Sequence, residues 1–159
     1  MSTGEVSGES RAIRQIPFTT AQEVGGEKVV IAVGKKKTAI ARAVVRKGTG
    51  VVRVNGVPIS IWPIEVARLK MMEPLILAGA DLVNKVDVDV KVRGGGFMGQ
   101  ASAVRMAIAR GLVEYFQSRE LLDLYMLYDP SMIKGDERRT EPKKPGLKHA
   151  RSKRQKAYR

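Results

Sequence analysis

The sequence predicts an α+β domain, with a mixed β-sheet, helices packed on one face of it, and an extended basic C-terminal tail. Three patterns support this fold class. Residues 85–93 alternate strictly between valine and charged residues, which is typical of a strand with one buried face. Residues 38–46 place small alanines on one face and Arg42 and Arg46 on the other. Residues 101–116 carry apolar side chains every three or four positions, as a helix packed on a sheet does.

The first half of the chain is predicted to contain three strands. Val29–Gly34 is a short apolar run and indicates a strand buried on both faces. The strand at 38–46 follows, and residues 47–50 predict a hairpin turn leading to a return strand at Val51–Asn55. Asn55-Gly56 is a second turn signal.

The second half is predicted to be mainly helical around one strand. A helix begins at Pro63, is broken or kinked at Pro74 and ends at Gly79. The strand at 85–93 and the helix at 101–116 follow, with Arg105 and Arg110 expected off the buried stripe. A last helix runs from an N-cap at Ser118 to Tyr128 and stops at Asp129-Pro130.

These elements divide the chain into three parts. Residues 1–26 are rich in Ser, Gly, Thr and Glu and are expected to form an N-terminal arm. Residues 27–128 form the globular domain. Residues 129–159 form a basic tail, because a polar segment without a core-forming period cannot bury enough apolar surface to fold alone.

Charge is the strongest functional signal in the composition. The 159 residues include 29 Lys and Arg against 16 Asp and Glu, a formal net charge of +13. The tail from Lys143 contains no acidic residue, and the rest of the chain is also basic, which favours a polyanionic partner that contacts both. The absence of cysteine excludes disulfides and thiolate metal sites. No membrane span or secretion signal is present in the pattern, so a cytoplasmic protein is expected.

The glycine-rich segment between the strand at 85–93 and the next helix has three interpretations. Gly94, Gly96 and Gly99 match the G-x-G-x-x-G of dinucleotide-binding turns, but no second strand follows to carry the required acid. The glycines are also what a tight strand-to-helix turn needs, whatever its function. The third interpretation is a phosphate site, formed by the helix N-terminus with Arg93 beside it, which suits an RNA backbone.

Nothing in the sequence favours catalysis. The single histidine, His149, lies in the tail between basic residues and lacks a fixed partner. Asp87 and Asp89 share a strand face with Lys91 and Arg93, which indicates a surface charge ladder rather than a carboxylate pair. No metal-ligand spacing is present, and we expect no cofactor.

The basic residues of the domain, by contrast, form a set. The cluster Lys35-Lys36-Lys37, taken alone, is only a solvated charge run, but Arg42, Arg46 and Arg53 lie on the adjacent predicted strands. Arg42 and Arg46 are expected about 13 Å apart on one strand face, roughly two phosphate steps. A localisation signal or a solubility function is the alternative for the tail.

Several segments, taken together, resemble small-subunit ribosomal protein S9 (the uS9 family). They are Gly34–Arg42, Val54-Asn55-Gly56, Val92–Ala101, and the tail segments Asp136–Arg139 and Glu141–Arg151, in the family's order. The ending Gln155–Arg159 is similar to the archaeal and eukaryotic branch.

The resemblance implies a fold like the second domain of ribosomal protein S5, with a left-handed βαβ crossover. It also implies a place in the head of the small ribosomal subunit, beside other head proteins and on the ribosomal RNA. The tail would thread through RNA, and its end would reach the anticodon stem-loop of the peptidyl-site (P-site) tRNA. The end residues carried over are Lys156, Tyr158 and Arg159. The residues expected to contact ribosomal RNA are Lys35, Lys36, Lys37, Arg42, Arg46, Arg93, Gly94, Gly95, Gly96, Gly99, Arg138, Arg139, Lys143, Lys144, Lys148, Arg151, Lys153 and Arg154.

Two other classes of function stay open on the sequence alone. One is a small nucleotide-using enzyme with its phosphate site at Gly94–Gly99. The other is a free-standing nucleic-acid-binding module with a basic tail.

Overall fold

A computed structural model describes Ile16 and residues 18–152. In these residues, helices pack on one mixed sheet, so the predicted α+β class is confirmed. The strands are β1 Thr19–Val24, β2 Glu27–Lys36, β3 Ala39–Lys47, β4 Val52–Val54, β5 Val57–Pro58 and β6 Val86–Arg93. The α-helices are α1 Glu65–Ala78, α2 Ala80–Val83, α3 Phe97–Phe116 and α4 Arg119–Tyr128, and single 3-10 turns span Ile59–Ile61 and Pro130–Met132.

The strand order is β1-β2-β3-β6-β4-β5, and it shows that the predicted hairpin at residues 47–50 is wrong. β3 and β4 do not pair, because β6 lies between them, antiparallel to β3 and parallel to β4. The loop after β3 instead donates from Gly50 N to the Val86 carbonyl at 3.1 Å. A turn signal predicts only that neighbouring strands pair with each other. Here β6, whose buried face consists of valines, pairs with both β3 and β4 and therefore separates them.

The parallel pair β4–β6 creates a βαβ crossover through α1, as the family resemblance implies. Its left hand stays a prediction.

The sheet also contains a strand within the segment assigned to the N-terminal arm. β1 pairs antiparallel with β2, with Thr19 opposite Ala32. The sequence gives no strand signal here, because an edge strand of polar residues lacks the apolar alternation on which such a prediction depends.

The small residues of β2 and β3 allow α3 to pack closely on the sheet. Ala39, Ala41 and Ala43 of β3 are fully buried, as expected from their shared face. A side-chain Cβ at Gly34 of β2 would lie 2.0 Å from the Ala103 carbonyl oxygen. Only glycine fits at this approach, so the helix is fixed on one side of the sheet and the other side stays open.

The expectation that Arg105 and Arg110 lie off the buried face of α3 is wrong, since their exposed fractions are only 6% and 3%. Arg105 forms ion pairs with Glu73 and Asp129. Arg110 donates to the Val33 carbonyl at 2.6 Å, and to a carbonyl in the segment after α4. Burial lowers the pKa of Arg110. The segment after α4 folds back over α3 and covers both guanidinium groups, which a helical period cannot show.

The C-terminal ends of the helices agree with the sequence, but two starts differ, because α1 begins at Glu65 rather than Pro63 and α3 begins at Phe97 rather than Ala101. α1 runs through Pro74 and ends at Gly79, whose φ is +80°. The Tyr125 hydroxyl of α4 donates to the Pro74 carbonyl at 2.7 Å and ties the two helices together. The Ser118 side chain caps α4 as predicted, accepting a hydrogen bond from Leu121 N at 3.3 Å.

Candidate nucleic-acid interface

The face of the sheet opposite the helices carries a row of cations on its central strands. On β3 and β6, Arg42 lies directly opposite Lys91, and Ile40 lies opposite Arg93. Lys35 of β2 lies on the other side of Ile40. These four cationic side chains are exposed, and within residues 18–152 none of them forms an ion pair with an acidic residue. We call Lys35, Arg42, Lys91 and Arg93 the cationic row.

Lys91 belongs to this row but was not among the predicted contacts. Its charge is visible in the alternating pattern, yet its neighbour Arg42 comes from a strand about fifty positions earlier. Only the pairing of β3 with β6 brings the two together, with Cβ atoms about 4.5–5.5 Å apart. Like charges so placed destabilise an isolated sheet, and an anion between them removes the repulsion.

The other end of the same face is balanced by acids. Asp89 forms ion pairs with Arg46 and with Arg53, the second at 3.8 Å. Arg46, a predicted RNA contact, is therefore partly neutralised within the protein. Positive potential is concentrated at the Arg42 end of the sheet.

Asp87 has a structural function in the loop between β3 and β4. Its carboxylate accepts hydrogen bonds from Thr49 N at 2.8 Å and from Val51 N at 3.0 Å. The bonds from Val51 and Thr49 hold the pKa of Asp87 below its usual value. These bonds, and the pairing of Asp89 with arginines, agree with the prediction that the two aspartates are not a catalytic pair.

The Asn55-Gly56 turn joins β4 to β5 and connects to the end of β6. Both residues have positive φ, 51° and 82°, as a two-residue hairpin turn requires. The Asn55 side chain accepts from Val92 N at 2.9 Å and donates to the Val92 carbonyl at 3.2 Å. One of the motifs behind the family resemblance therefore fixes the strand end from which Arg93 projects.

The glycine segment is a tight turn that lies against the β2–β3 turn. Gly94 and Gly95 have φ of 75° and 69°, and a Cβ at Gly94 would lie 2.5 Å from the Thr38 carbonyl oxygen. α3 begins at Phe97, and its N-cap Gly96 has no side chain to accept the first helical N–H groups. Uncapped N–H groups at a helix N-terminus favour an anion, and Arg93 precedes this turn directly in the sequence.

The dinucleotide interpretation of this turn fails on topology. α3 is followed by α4 and a 3-10 turn, and residues 117–152 contain no strand. The acid that a dinucleotide fold carries at the end of its second strand therefore has no counterpart in this part of the chain.

Lys36, at the end of β2, and Arg138 share one carboxylate. Lys36 Nζ and the Arg138 guanidinium both form ion pairs with Asp136. Burial, together with the nearby charge of Arg138, lowers the pKa of Lys36. These two predicted contacts hold the start of the tail on the domain, and their binding of RNA stays a prediction.

Between Asp136 and residue 152, the tail presents its basic side chains to solvent. Arg151 forms an ion pair with Glu141 at 2.7 Å. Lys153, Arg154, Lys156, Tyr158 and Arg159 lie outside the described residues. The predicted contacts in the tail that are exposed within the described residues are Arg138, Arg139, Lys143, Lys144, Lys148 and Arg151.

The described residues contain no group of three or more His, Asp or Glu side chains able to hold a metal ion. His149 is exposed, and its backbone forms a local turn with Ser152. No helix in this part of the chain has both the length and the apolar character needed to cross a membrane.

Comparison with known proteins gives consistent results. A family model described as ribosomal protein S9/S16 matches residues 34–159. Small ribosomal subunit protein uS9 of Pyrobaculum aerophilum is 70% identical over 132 residues, which cover 83% of this chain and 92% of the relative. The uS9 protein of Aeropyrum pernix is 52% identical over 148 residues, covering 84% of this chain and 98% of the relative. The uS9 protein of Desulfurococcus amylolyticus is 53% identical over 132 residues, covering 83% of this chain and 94% of the relative.

Proposed function

The chain belongs to the ribosomal protein S9/S16 family, whose members are structural proteins rather than enzymes, and on this basis we propose how it binds its RNA. It is a structural component of the small ribosomal subunit. The proposal is that the open face of the sheet, the glycine turn and the tail bind small-subunit ribosomal RNA in the head. The end of the tail then contacts P-site tRNA.

The observation that carries the proposal is the cationic row. Arg42 and Lys91 lie directly opposite each other, and no acid in the described residues pairs with either. A phosphate between them would relieve their repulsion and release counterions. Arg93 and Lys35 extend the positive surface toward the glycine turn.

The glycine turn supplies a second phosphate contact of a different kind. The first N–H groups of α3 have no side-chain cap, and Arg93 precedes the turn. Backbone N–H groups fix the position and orientation of a nucleic-acid backbone and carry no sequence information. The domain is therefore proposed to recognise the shape and phosphates of RNA rather than its bases.

The tail completes the interface. The pairing of Asp136 with Lys36 and Arg138 holds the start of the tail at the end of β2, and a Cβ at Gly99 would lie 4.0 Å from the Lys36 carbonyl oxygen. From there the basic side chains would bind along the RNA backbone, and their phosphate contacts would offset the entropy lost when the tail becomes ordered. The family match extends to residue 159, which supports assigning the tRNA contact to Lys156, Tyr158 and Arg159.

The domain contact is tested with the double variant Arg42→Gln/Lys91→Gln. Binding of the full chain to small-subunit ribosomal RNA is measured across a salt series. Losing two phosphate contacts should lower the affinity about 10- to 100-fold and reduce the magnitude of the salt slope by about 1.5–2. The control is the single variant Arg119→Gln, which removes one positive charge outside the proposed interface, because Arg119 is exposed in the helical layer. If the control weakens binding as much as the double variant does, the interface is misplaced.

The tail contact is tested by deleting residues 157–159. Small subunits reconstituted with the truncated chain should assemble normally but hold P-site tRNA less tightly, because a terminal phosphate contact is lost. Binding of the truncated chain to ribosomal RNA alone serves as the control. Undiminished tRNA retention would show that the end of the tail does not make this contact.

A further inference from the structure

The solvent side of α1 is apolar, and this feature is not explained by RNA binding. Val66, Leu69 and Ile76 expose 63%, 53% and 67% of their surface. Ile61, in the 3-10 turn that leads into the helix, is 68% exposed. We call these four residues the α1 outer row.

The other side of α1 is apolar as well. Ala67, Met71 and Pro74 are buried against the rest of the domain. A helix packed on one side only ordinarily carries polar residues on the opposite side. α1 also contains charged residues, but it carries apolar residues on its solvent side as well as on its buried side, and exposed apolar patches of this kind mark interaction sites.

The charges around the outer row disfavour RNA as that partner. Glu65 is exposed at the start of α1, and Asp81 is exposed in α2, three positions after the last residue of α1. The two basic residues of α1, by contrast, lie against other parts of the protein. Arg68 donates to the Ser60 carbonyl at 3.1 Å, and Lys70 lines the polar cleft beside Lys36 and Arg138.

The whole helical layer follows the same trend. Helices α1 to α4 carry one more acidic than basic residue, and two of the basic ones, Arg105 and Arg110, are buried. The acidic residues are Glu65, Glu73, Asp81, Glu114, Glu120 and Asp123, and the basic ones are Arg68, Lys70, Arg105, Arg110 and Arg119. A phosphate backbone would be repelled here, whereas a basic polypeptide with apolar side chains would be attracted.

We propose that the α1 outer row binds a neighbouring protein of the small subunit, through a segment that carries apolar side chains flanked by Lys or Arg. This deepens the proposed function, because it gives the protein two separate surfaces, a cationic one for RNA and an apolar, acid-rimmed one for protein. The partner's apolar side chains pack on Leu69 and Ile76, and its basic residues pair with Glu65 and Asp81.

The test uses the double variant Leu69→Gln/Ile76→Gln in the full chain. Both side chains are largely exposed, so the free energy of unfolding should change little. Incorporation into small subunits lacking only this protein should fall about 10-fold or more, because two apolar side chains lose their burial. The control Leu69→Met/Ile76→Leu keeps the surface apolar and should be incorporated normally.

Binding to naked ribosomal RNA separates this proposal from the RNA interface. The glutamine variant should bind naked RNA like the unmodified chain, and only the Arg42/Lys91 variant should lose that binding. If the unmodified chain fails to bind ribosomal RNA, the RNA interface fails and the protein contact is judged by incorporation alone.

A photo-crosslinking amino acid at position 76, in purified small subunits, identifies the partner. A crosslink to a segment of another ribosomal protein containing both apolar and basic residues supports the proposal. A crosslink to RNA, to a second copy of this chain, or to no protein at all would overturn it, as would normal incorporation of the glutamine variant.

Discussion

Arginine side chains lie on both sides of the sheet, and the two sides surround them differently. On the helical side, Arg105 and Arg110 are buried, and carboxylates or backbone carbonyls accept their hydrogen bonds. On the open side, Arg42 lies exposed opposite Lys91 with no acidic partner in the described residues. The same residue type therefore stabilises the fold on one side and remains available for an external anion on the other. Charge count alone does not separate these roles, but pairing and burial do.

The largest difference in stability between the two sides of the sheet is expected when Arg105→Met is compared with Arg42→Met. The first of these substitutions keeps an apolar stem and leaves Glu73 and Asp129 without their shared cation. It should lower the free energy of unfolding by about 2–4 kcal/mol. This is less than the loss expected when one partner of a deeply buried ion pair is removed, because both carboxylates are partly exposed. Arg42→Met should change the free energy of unfolding by less than about 0.5 kcal/mol. Urea unfolding of both variants checks the contrast, and equal losses would mean that the open-side arginine is also structural.

The second largest loss of stability is expected from a substitution in the glycine turn, where the open side of the sheet meets the start of α3. Gly94→Ala places a Cβ 2.5 Å from the Thr38 carbonyl oxygen at a φ of +75°, and should cost about 2–3 kcal/mol. Gly99→Ala is the control, because its Cβ would lie 3.6 Å from the Ala39 Cβ, an ordinary contact. Thermal unfolding measures both. A stable Gly94→Ala protein would mean that the turn does not need its left-handed conformation.

How far the sequence predicts these features depends on the range of the interactions involved. The strand β6, the alanine face of β3 and the cap at Ser118 follow from local periodicity and were predicted correctly. The insertion of β6 between β3 and β4 was missed, because it pairs residues over thirty positions apart. The burial of Arg105 and Arg110 was missed for the same reason, since the segment that covers them follows α4.

The interface shows the same division. Arg42 and Arg93 could be named as candidate contacts from their motifs and strand alternation. Lys91 joined them only through strand pairing, and the neutralisation of Arg46 by Asp89 and of Lys36 by Asp136 required side-chain positions in space. The sequence therefore predicts which residues are basic and on which side of a strand they lie, but not which of them already have an internal partner.

A smaller effect is expected from Tyr125→Phe within the helical layer. The hydroxyl bonds the Pro74 carbonyl at 2.7 Å, and its loss should lower the free energy of unfolding by about 0.5–1.5 kcal/mol. Burial raises the pKa of Tyr125, so the wild-type domain should lose stability as the pH rises through the unfolded-state value near 10. The variant should lack this component of the pH dependence. Parallel alkaline unfolding curves for the two proteins would contradict the assignment.

The smallest expected effect concerns Asp87 on the open side, where an acid has a structural role amid cations. Its folded-state pKa is depressed, so its contribution to stability is fully present above the unfolded value near 4 and is lost as the pH falls through the lower, folded-state pKa. The protection of the Thr49 and Val51 amides against hydrogen exchange, taken relative to the intrinsic exchange rate at each pH, should fall in this acid range, because protonation weakens the two hydrogen bonds that the carboxylate accepts. Asp87→Asn should lower the protection of these two amides already at neutral pH, and this protection should show no further loss in the acid range. If Asp87→Asn instead leaves the loop protected but strengthens binding to ribosomal RNA, then Asp87 acts mainly by opposing the phosphate charge, and the open side is tuned by its acids as well as by its free cations.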